Sequence, residues 1–139
     1  MGLWESDGLD ETVLVLVAED DALVALSLVT ELEEAGYAVV HARSGEGAIA
    51  ELDNRPAVKA LVTDIRLGQG IDGWAVAHHA RTLNPNLPVI YASGDSSALW
   101  AANGVPNSVM LRKPFALAQL VTAVSQLITA APPNPTGPE

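Results

Sequence analysis

The sequence predicts an α/β fold built on a parallel sheet with helices on both faces, and three features predict it. Short, uncharged, β-branched runs recur along the chain, the clearest at residues 12–18 (TVLVLVA) and 60–63 (ALVT). Runs this short and this apolar read as strands buried on both faces. Between them lie longer stretches with apolar residues at helical spacing. Strand and helix patterns alternate five times, which places the strands in one parallel sheet.

Residues 1–11 are polar and Gly/Asp-rich and read as a loose tail, with Trp4 its one aromatic. The first strand, 12–18, ends at Glu19-Asp20-Asp21, and Asp20 or Asp21 is suited to cap the next helix. That helix reaches about Ala35 and places Val24, Leu28, Val29 and Leu32 inward, with Gly36 its stop. The second strand is 37–42. Ser44 opens the second helix, with Ala48, Ile49 and Leu52 inward, and Arg55-Pro56 ends it. The third strand, 60–63, leads to Asp64 and a long loop, 65–73. The third helix, 74–83, stops at Asn84-Pro85. The fourth strand is 89–93, followed by a Gly94-Asp95 turn and a poor helix over 96–102. The fifth strand, 107–111, ends at Arg112-Lys113-Pro114. In the last helix Leu117, Leu120, Val121, Val124, Leu127 and Ile128 form one stripe. Residues 132–139 are Pro-rich and read as a solvated tail, so the folded domain is expected over 12–131.

The bulk composition narrows the function. The chain has 139 residues, 49% of them hydrophobic, which suits one domain with a packed core. The net charge is −10 with seven Lys and Arg, which argues against nucleic acid and anionic membrane as partners. Cysteine is absent, so disulfides, thiolate metal sites and a Cys nucleophile are excluded. No apolar run is long enough to span a bilayer and the N-terminus lacks a signal-sequence pattern, so a cytoplasmic location is expected.

In a parallel sheet all carboxyl ends share one edge, where ligands bind. The strands present Glu19 and Asp20, Asp64, Ser93 and Lys113 there. Clustered carboxylates repel one another, and a hard divalent cation such as Mg²⁺ resolves the repulsion through oxygen ligands. A metal held by Asp20 and Asp64 keeps open positions for a phosphoryl group. Lys113 suits phosphate oxygens and Ser93 offers a hydroxyl donor. The set points to phosphoryl transfer with a carboxylate nucleophile. For any one strand-end Asp a cap or turn role is the default; the combination favours the functional reading. Asp21 reads as a cap, Asp72 as a turn residue leading into the helix at Gly73, and Asp95 as a cap or turn residue. His78 and His79, adjacent on a helix, face different ways and do not form a site together.

The motifs LVAEDD, LVTDIRL, DGW, VIYASGD and LRKPF, in that order and spacing, resemble the response-regulator receiver domain of two-component signalling. The resemblance spans about residues 12–128. It implies a flavodoxin-like, doubly wound five-stranded sheet of order 2-1-3-4-5 with five helices. It implies Asp64 as phosphoacceptor, Asp20 as direct Mg²⁺ ligand with Glu19 acting through water, and the Arg66 backbone carbonyl as a further ligand. Ser93 and Lys113 then contact the phosphoryl group, and the Lys113-Pro114 peptide is often cis. The implied partners are a histidine kinase or phosphotransfer protein upstream and a protein docking on the face of the fourth helix, fifth strand and fifth helix downstream. Little chain follows Ala131, so output through protein contact is expected. The sequence departs from the family twice. The loop after Asp64 (Leu67-Gly68-Gln69-Gly70) has no proline and one extra residue, and the switch position, usually Tyr or Phe, is Met110. Two alternatives follow: a receiver-like adaptor that does not switch, or a haloacid-dehalogenase-type phosphatase. The latter needs a second Asp where Arg66 stands.

Overall fold

The computed structural model describes residues 12–94 and 97–132. Trp4, Asp95 and nearly all of both expected tails therefore lie outside the described residues. Five strands form one sheet, β1 (Leu14–Ala18), β2 (Ala38–Ala42), β3 (Val58–Asp64), β4 (Val89–Ser93) and β5 (Val109–Arg112). All neighbours pair in parallel and the spatial order is 2-1-3-4-5, as expected. The helices are α1 (Ala22–Glu34), α2 (Gly45–Asn54), α3 (Gly73–Leu83), α4 (Trp100–Asn103) and α5 (Leu117–Ala130).

Alternation along the strands divides the core in two. Leu16, Leu61 and Tyr91 pack toward α2 and α3, against Ala48, Leu52, Val76 and Ala80. Val15, Val17, Val62 and Ile90 pack toward α1 and α5, against Leu28, Leu32, Leu120 and Val124. Each Val, Leu or Ile among them, fully buried, contributes about 1.5–3 kcal/mol of hydrophobic free energy. The central strands β1, β3 and β4 are thus buried on both faces, which is why their sequences carry no alternation of charge.

Local chemistry sets the helix ends. Asp21 caps α1 by accepting from the N–H groups of Leu23 and Val24 at 2.9 and 3.1 Å. Ser44 caps α2 through Gly47 N–H at 2.9 Å, and Asp72 caps α3 through Ala75 N–H at 2.9 Å. Gly36 takes φ +104, the left-handed conformation that closes α1.

Several boundaries differ from expectation. β3 begins at Val58, two residues early, because a register irregularity beside Leu14 and Val15 lets Lys59 stay in solvent. β1 and β2 begin later than expected, at Leu14 and Ala38. β5 runs Val109–Arg112, since Asn107 sits at φ +60 in the preceding turn. The poor fourth helix is a 3₁₀ turn (Ser97–Leu99) and a single α turn. In α1, Ala25 is buried where Val24 and Val29 are only half-buried, and Leu23 and Leu26 are exposed.

Candidate functional site

The carboxyl ends of β1 and β3 lie side by side in the sheet, with Ala18 paired to Thr63. The next residue of each chain segment therefore emerges at the same edge. Glu19 is fixed by its main chain, its N–H donating to Ala42 O at 3.0 Å. The His41 ring meets the Glu19 carbonyl at 2.8 Å. The Glu19 side chain is buried and turns back to accept from Asp21 N–H at 3.1 Å. Asp20 is exposed and Asp64 half-buried. Carboxylate oxygens of Glu19, Asp20 and Asp64 lie within 4.8 Å of one another, so the predicted acidic group assembles.

Lys113 reaches this group from the other side of the sheet. Its backbone N–H donates to Ser93 O at 2.8 Å, which extends the β4–β5 ladder and aims the residue at the site. Its Nζ donates to Asp64 Oδ2 at 3.1 Å and Glu19 Oε1 at 3.3 Å. The other Asp64 oxygen, Oδ1, accepts from Ile65 N–H at 2.6 Å. The Lys113–Pro114 peptide is cis.

The electrostatics follow from this packing. Burial pushes the Glu19 carboxyl above its ordinary range; the Asp21 N–H opposes it, the Asp64 charge adds to it, and Lys113 opposes it. Burial alone would lower the Lys113 ammonium, but Asp64 and then Glu19 outweigh it and hold its pKa above the ordinary lysine value. One ammonium thus pairs with two carboxylates of a three-carboxylate cluster. That donor set is all oxygen, partly open to solvent and short of positive charge, which fits a hard divalent cation.

Ser93 ends β4 and is buried, one residue beyond the Asp64–Ala92 pair. Gly94 beside it is exposed, and among the described residues a side chain there would meet nothing within 4 Å. Arg66 lies in the loop 65–72, whose turn closes through Gly73 N–H donating to Ile65 O at 2.7 Å. Asp21 is a cap, as expected, and Asp72, expected as a turn residue leading into the helix, caps α3. His78 and His79 diverge, His78 to Asn103 O at 3.0 Å and His79 to Asp53 at 2.7 Å. Met110 is half-buried and packs into the α2–α3 side of the core, where its β4 partner is Tyr91.

Comparison with known proteins decides the family. The family model for "Response regulator receiver domain" matches residues 15–125. The chain belongs to the response-regulator receiver family. This receiver is 34% identical over 119 residues to the response regulator receiver protein CpdR of Brucella abortus, covering 84% of this chain and 98% of that protein. It is 29% identical to part of the sensor kinase CckA of the same organism, covering 86% of this chain but 13% of the kinase. A response regulator receiver protein from Sinorhizobium medicae superposes with a TM-score of 0.84 at 48% identity, covering 86% of this chain and 97% of that one. The receiver domain of the sensor histidine kinase PA1611 from Pseudomonas aeruginosa, 22% identical, superposes with a TM-score of 0.74 over 86% of this chain and 99% of that one. That structure carries a magnesium ion in its active-site cleft.

Receivers are phosphoacceptor signalling modules rather than enzymes that turn over a substrate. Membership removes the phosphatase alternative, and Arg66, exposed two residues after Asp64, provides no acid for it. Among the described residues no helix is long and apolar enough to cross a membrane.

Proposed function

We propose that Asp64 accepts a phosphoryl group from a phosphohistidine of a histidine kinase or phosphotransfer protein, and that the receiver signals by protein contact. The observation that carries this reading is the shared ion pair of Lys113 with Asp64 and Glu19 inside a three-carboxylate cluster. Mg²⁺ would be held by Asp20, Asp64 and the Arg66 carbonyl, with Glu19 acting through water. When bound, it offsets the negative charge of the carboxylates and of the incoming phosphoryl oxygens.

The chain's own groups do the rest. An Asp64 oxygen attacks phosphorus, the O–P bond forms, and the P–N bond breaks with its electron pair going to the donor imidazole. Ile65 N–H holds the Asp64 carboxylate in place. Lys113 is poised to follow the charge from carboxylate to phosphoryl oxygen, and the Ser93 hydroxyl to donate to it. Open space at Gly94 leaves the edge accessible to a donor.

For output through the face of α4, β5 and α5, its β5 and α5 part offers a shallow groove of about 400 Å³ lined by Val109, Leu111, Ala118 and Thr122, among others. A second reading, an adaptor whose contacts do not change on phosphorylation, is favoured by Met110, which has neither ring nor hydroxyl to couple to Ser93. Equal partner affinity before and after phosphorylation would select it.

The test is beryllofluoride with Mg²⁺, monitored by amide shifts. Shifts centred on Asp64, Ser93 and Lys113 are expected, and Asp64→Asn should abolish them. Identical shifts in that variant reject the phosphoacceptor assignment.

A further inference from the structure

Building on the cation site proposed above, we infer that the first turn of α2 sets the position of the β3–α3 loop, making Glu46 a positioning residue for Mg²⁺ binding. The loop 65–72 carries Arg66, the proposed carbonyl ligand. Its beginning is anchored by the buried side chains of Ile65 and Leu67. Its middle is not, because Gly68, Gln69 and Gly70 are all exposed, and both glycines take positive φ, +80 and +109. No side chain of residues 68–70 reaches the core; Ile71, just after them, packs half-buried against its α2–α3 side, and a polar contact adds to that anchor.

That contact comes from α2. Glu46 Oε2 accepts from Ile71 N–H at 3.3 Å. Gly70 lies so close that a Cβ there would stand 2.5 Å from the same oxygen. Gly45 is buried against Ile71, and a Cβ on it would overlap the Ile71 carbonyl. At the loop's other side Gly68 faces the site, where a Cβ would lie 4.0 Å from Asp20 Oδ2. The loop is therefore held against α2 on one side and passes close to Asp20 of the cation site on the other. Displacing it at Ile71 moves the segment that must stay beside Asp20.

Glu46 also has a plain helical role, since a carboxylate in the first turn suits the helix dipole. Two substitutions separate the roles. Glu46→Gln removes the charge but keeps an acceptor oxygen. Gly45→Ala improves helix propensity but wedges the loop away.

The experiment is calorimetric titration of Mg²⁺ into the full chain, with no phosphodonor, alongside hydrogen exchange without metal. Loss of one such hydrogen bond should weaken Mg²⁺ binding about three- to tenfold in Glu46→Ala. The Ile71 amide should exchange faster in that variant while α5 amides keep their rates. Glu46→Gln should bind within about twofold of the parent, as expected when an acceptor is kept, and Gly45→Ala should bind more weakly. Should Glu46→Ala fail to fold, the other two variants carry the same comparison. Unchanged Mg²⁺ affinity in Glu46→Ala and Gly45→Ala, with binding lost in Asp20→Ala, overturns the role of Glu46 and leaves the cation site standing. An absence of Mg²⁺ binding in the parent protein overturns both.

Discussion

Lys113 Nζ stands 3.1 Å from Asp64 Oδ2 and 3.3 Å from Glu19 Oε1, so a single ammonium from the end of β5 balances carboxylates from two other strands. Lys113→Ala leaves those carboxylates facing each other without a counter-charge. Breaking a fully buried pair costs about 3–5 kcal/mol, and the partial exposure of Lys113 brings the expectation to about 1–3 kcal/mol. Asp64→Asn in the same background should recover part of the loss, because it removes one of the repelling charges. Urea unfolding of the two single variants and the double variant measures the coupling. Strictly additive losses would show that Lys113 and Asp64 do not interact.

The Trp100 ring lies over Gly104, where a Cβ would overlap it, and its Nε1 donates to Ser108 Oγ at 3.0 Å. Gly104 has φ −74, which alanine adopts freely, so the contact alone demands glycine. Gly104→Ala is therefore expected to destabilise by about 1–3 kcal/mol through overpacking and to expose Trp100, already partly in solvent, further. Thermal unfolding and a red shift in indole emission report the two effects. The double variant with Trp100→Ala should lose less than the sum of the single losses; a full sum would locate the strain elsewhere.

Tyr91 gives a pH prediction. Its ring is buried against Trp74 with centroids 4.8 Å apart, and its hydroxyl accepts from Val105 N–H at 3.1 Å. Burial raises the phenol above its ordinary value; the Val105 N–H and the Arg81 charge only partly oppose this. The folded protein thus holds the Tyr91 proton to higher pH than the unfolded chain does. By linkage, stability is unaffected below about pH 10 and falls as pH rises from there toward the folded-state value. Lys113, also raised, acts in the same direction over alkaline pH. Tyr91→Phe should flatten the decline without removing it. An equal slope in denaturant midpoints between pH 9 and 11 (about one unit either side of the ordinary phenol value) would refute the assignment.

The strands, caps and strand-end residues were legible because each depends on a local signal. Uncharged β-branched runs mark buried strands, and Asp21, Ser44 and Asp72 are short polar side chains just ahead of helices. Convergence of Glu19, Asp20, Asp64 and Lys113 followed from parallel topology, which brings all strand ends to one edge. The start of β3 was not legible, because Lys59 reads as a break until an irregular register lets it point to solvent. Ala25 replaced Val24 on the buried face of α1, since helix rotation is fixed by the sheet and not by side-chain size. The clamp of Glu46 on Ile71 joins residues far apart in sequence, and an exposed Glu in a first helical turn carries no pattern that announces a tertiary contact.

Gly73 shows how closely the site is backed by main chain. Its N–H donates to Ile65 O at 2.7 Å, and a Cβ on it would overlap the Asp64 carbonyl. Alanine is the better helix former, so propensity favours Gly73→Ala at the start of α3. The overlap opposes it, and neither the end of β3 nor α3 can retreat without breaking core contacts of Ala77 and Val76. The expected outcome is a loss of about 2–3 kcal/mol in stability. Because Asp64 is pushed together with its carbonyl, Mg²⁺ affinity should fall as well, by more than Glu46→Ala produces. Gly104→Ala, whose Cβ would overlap the Trp100 ring, is the control for an overpacking substitution away from Asp64 and from the α2 turn. If both variants lose Mg²⁺ affinity equally, the effect is general loosening and not the Gly73–Asp64 contact.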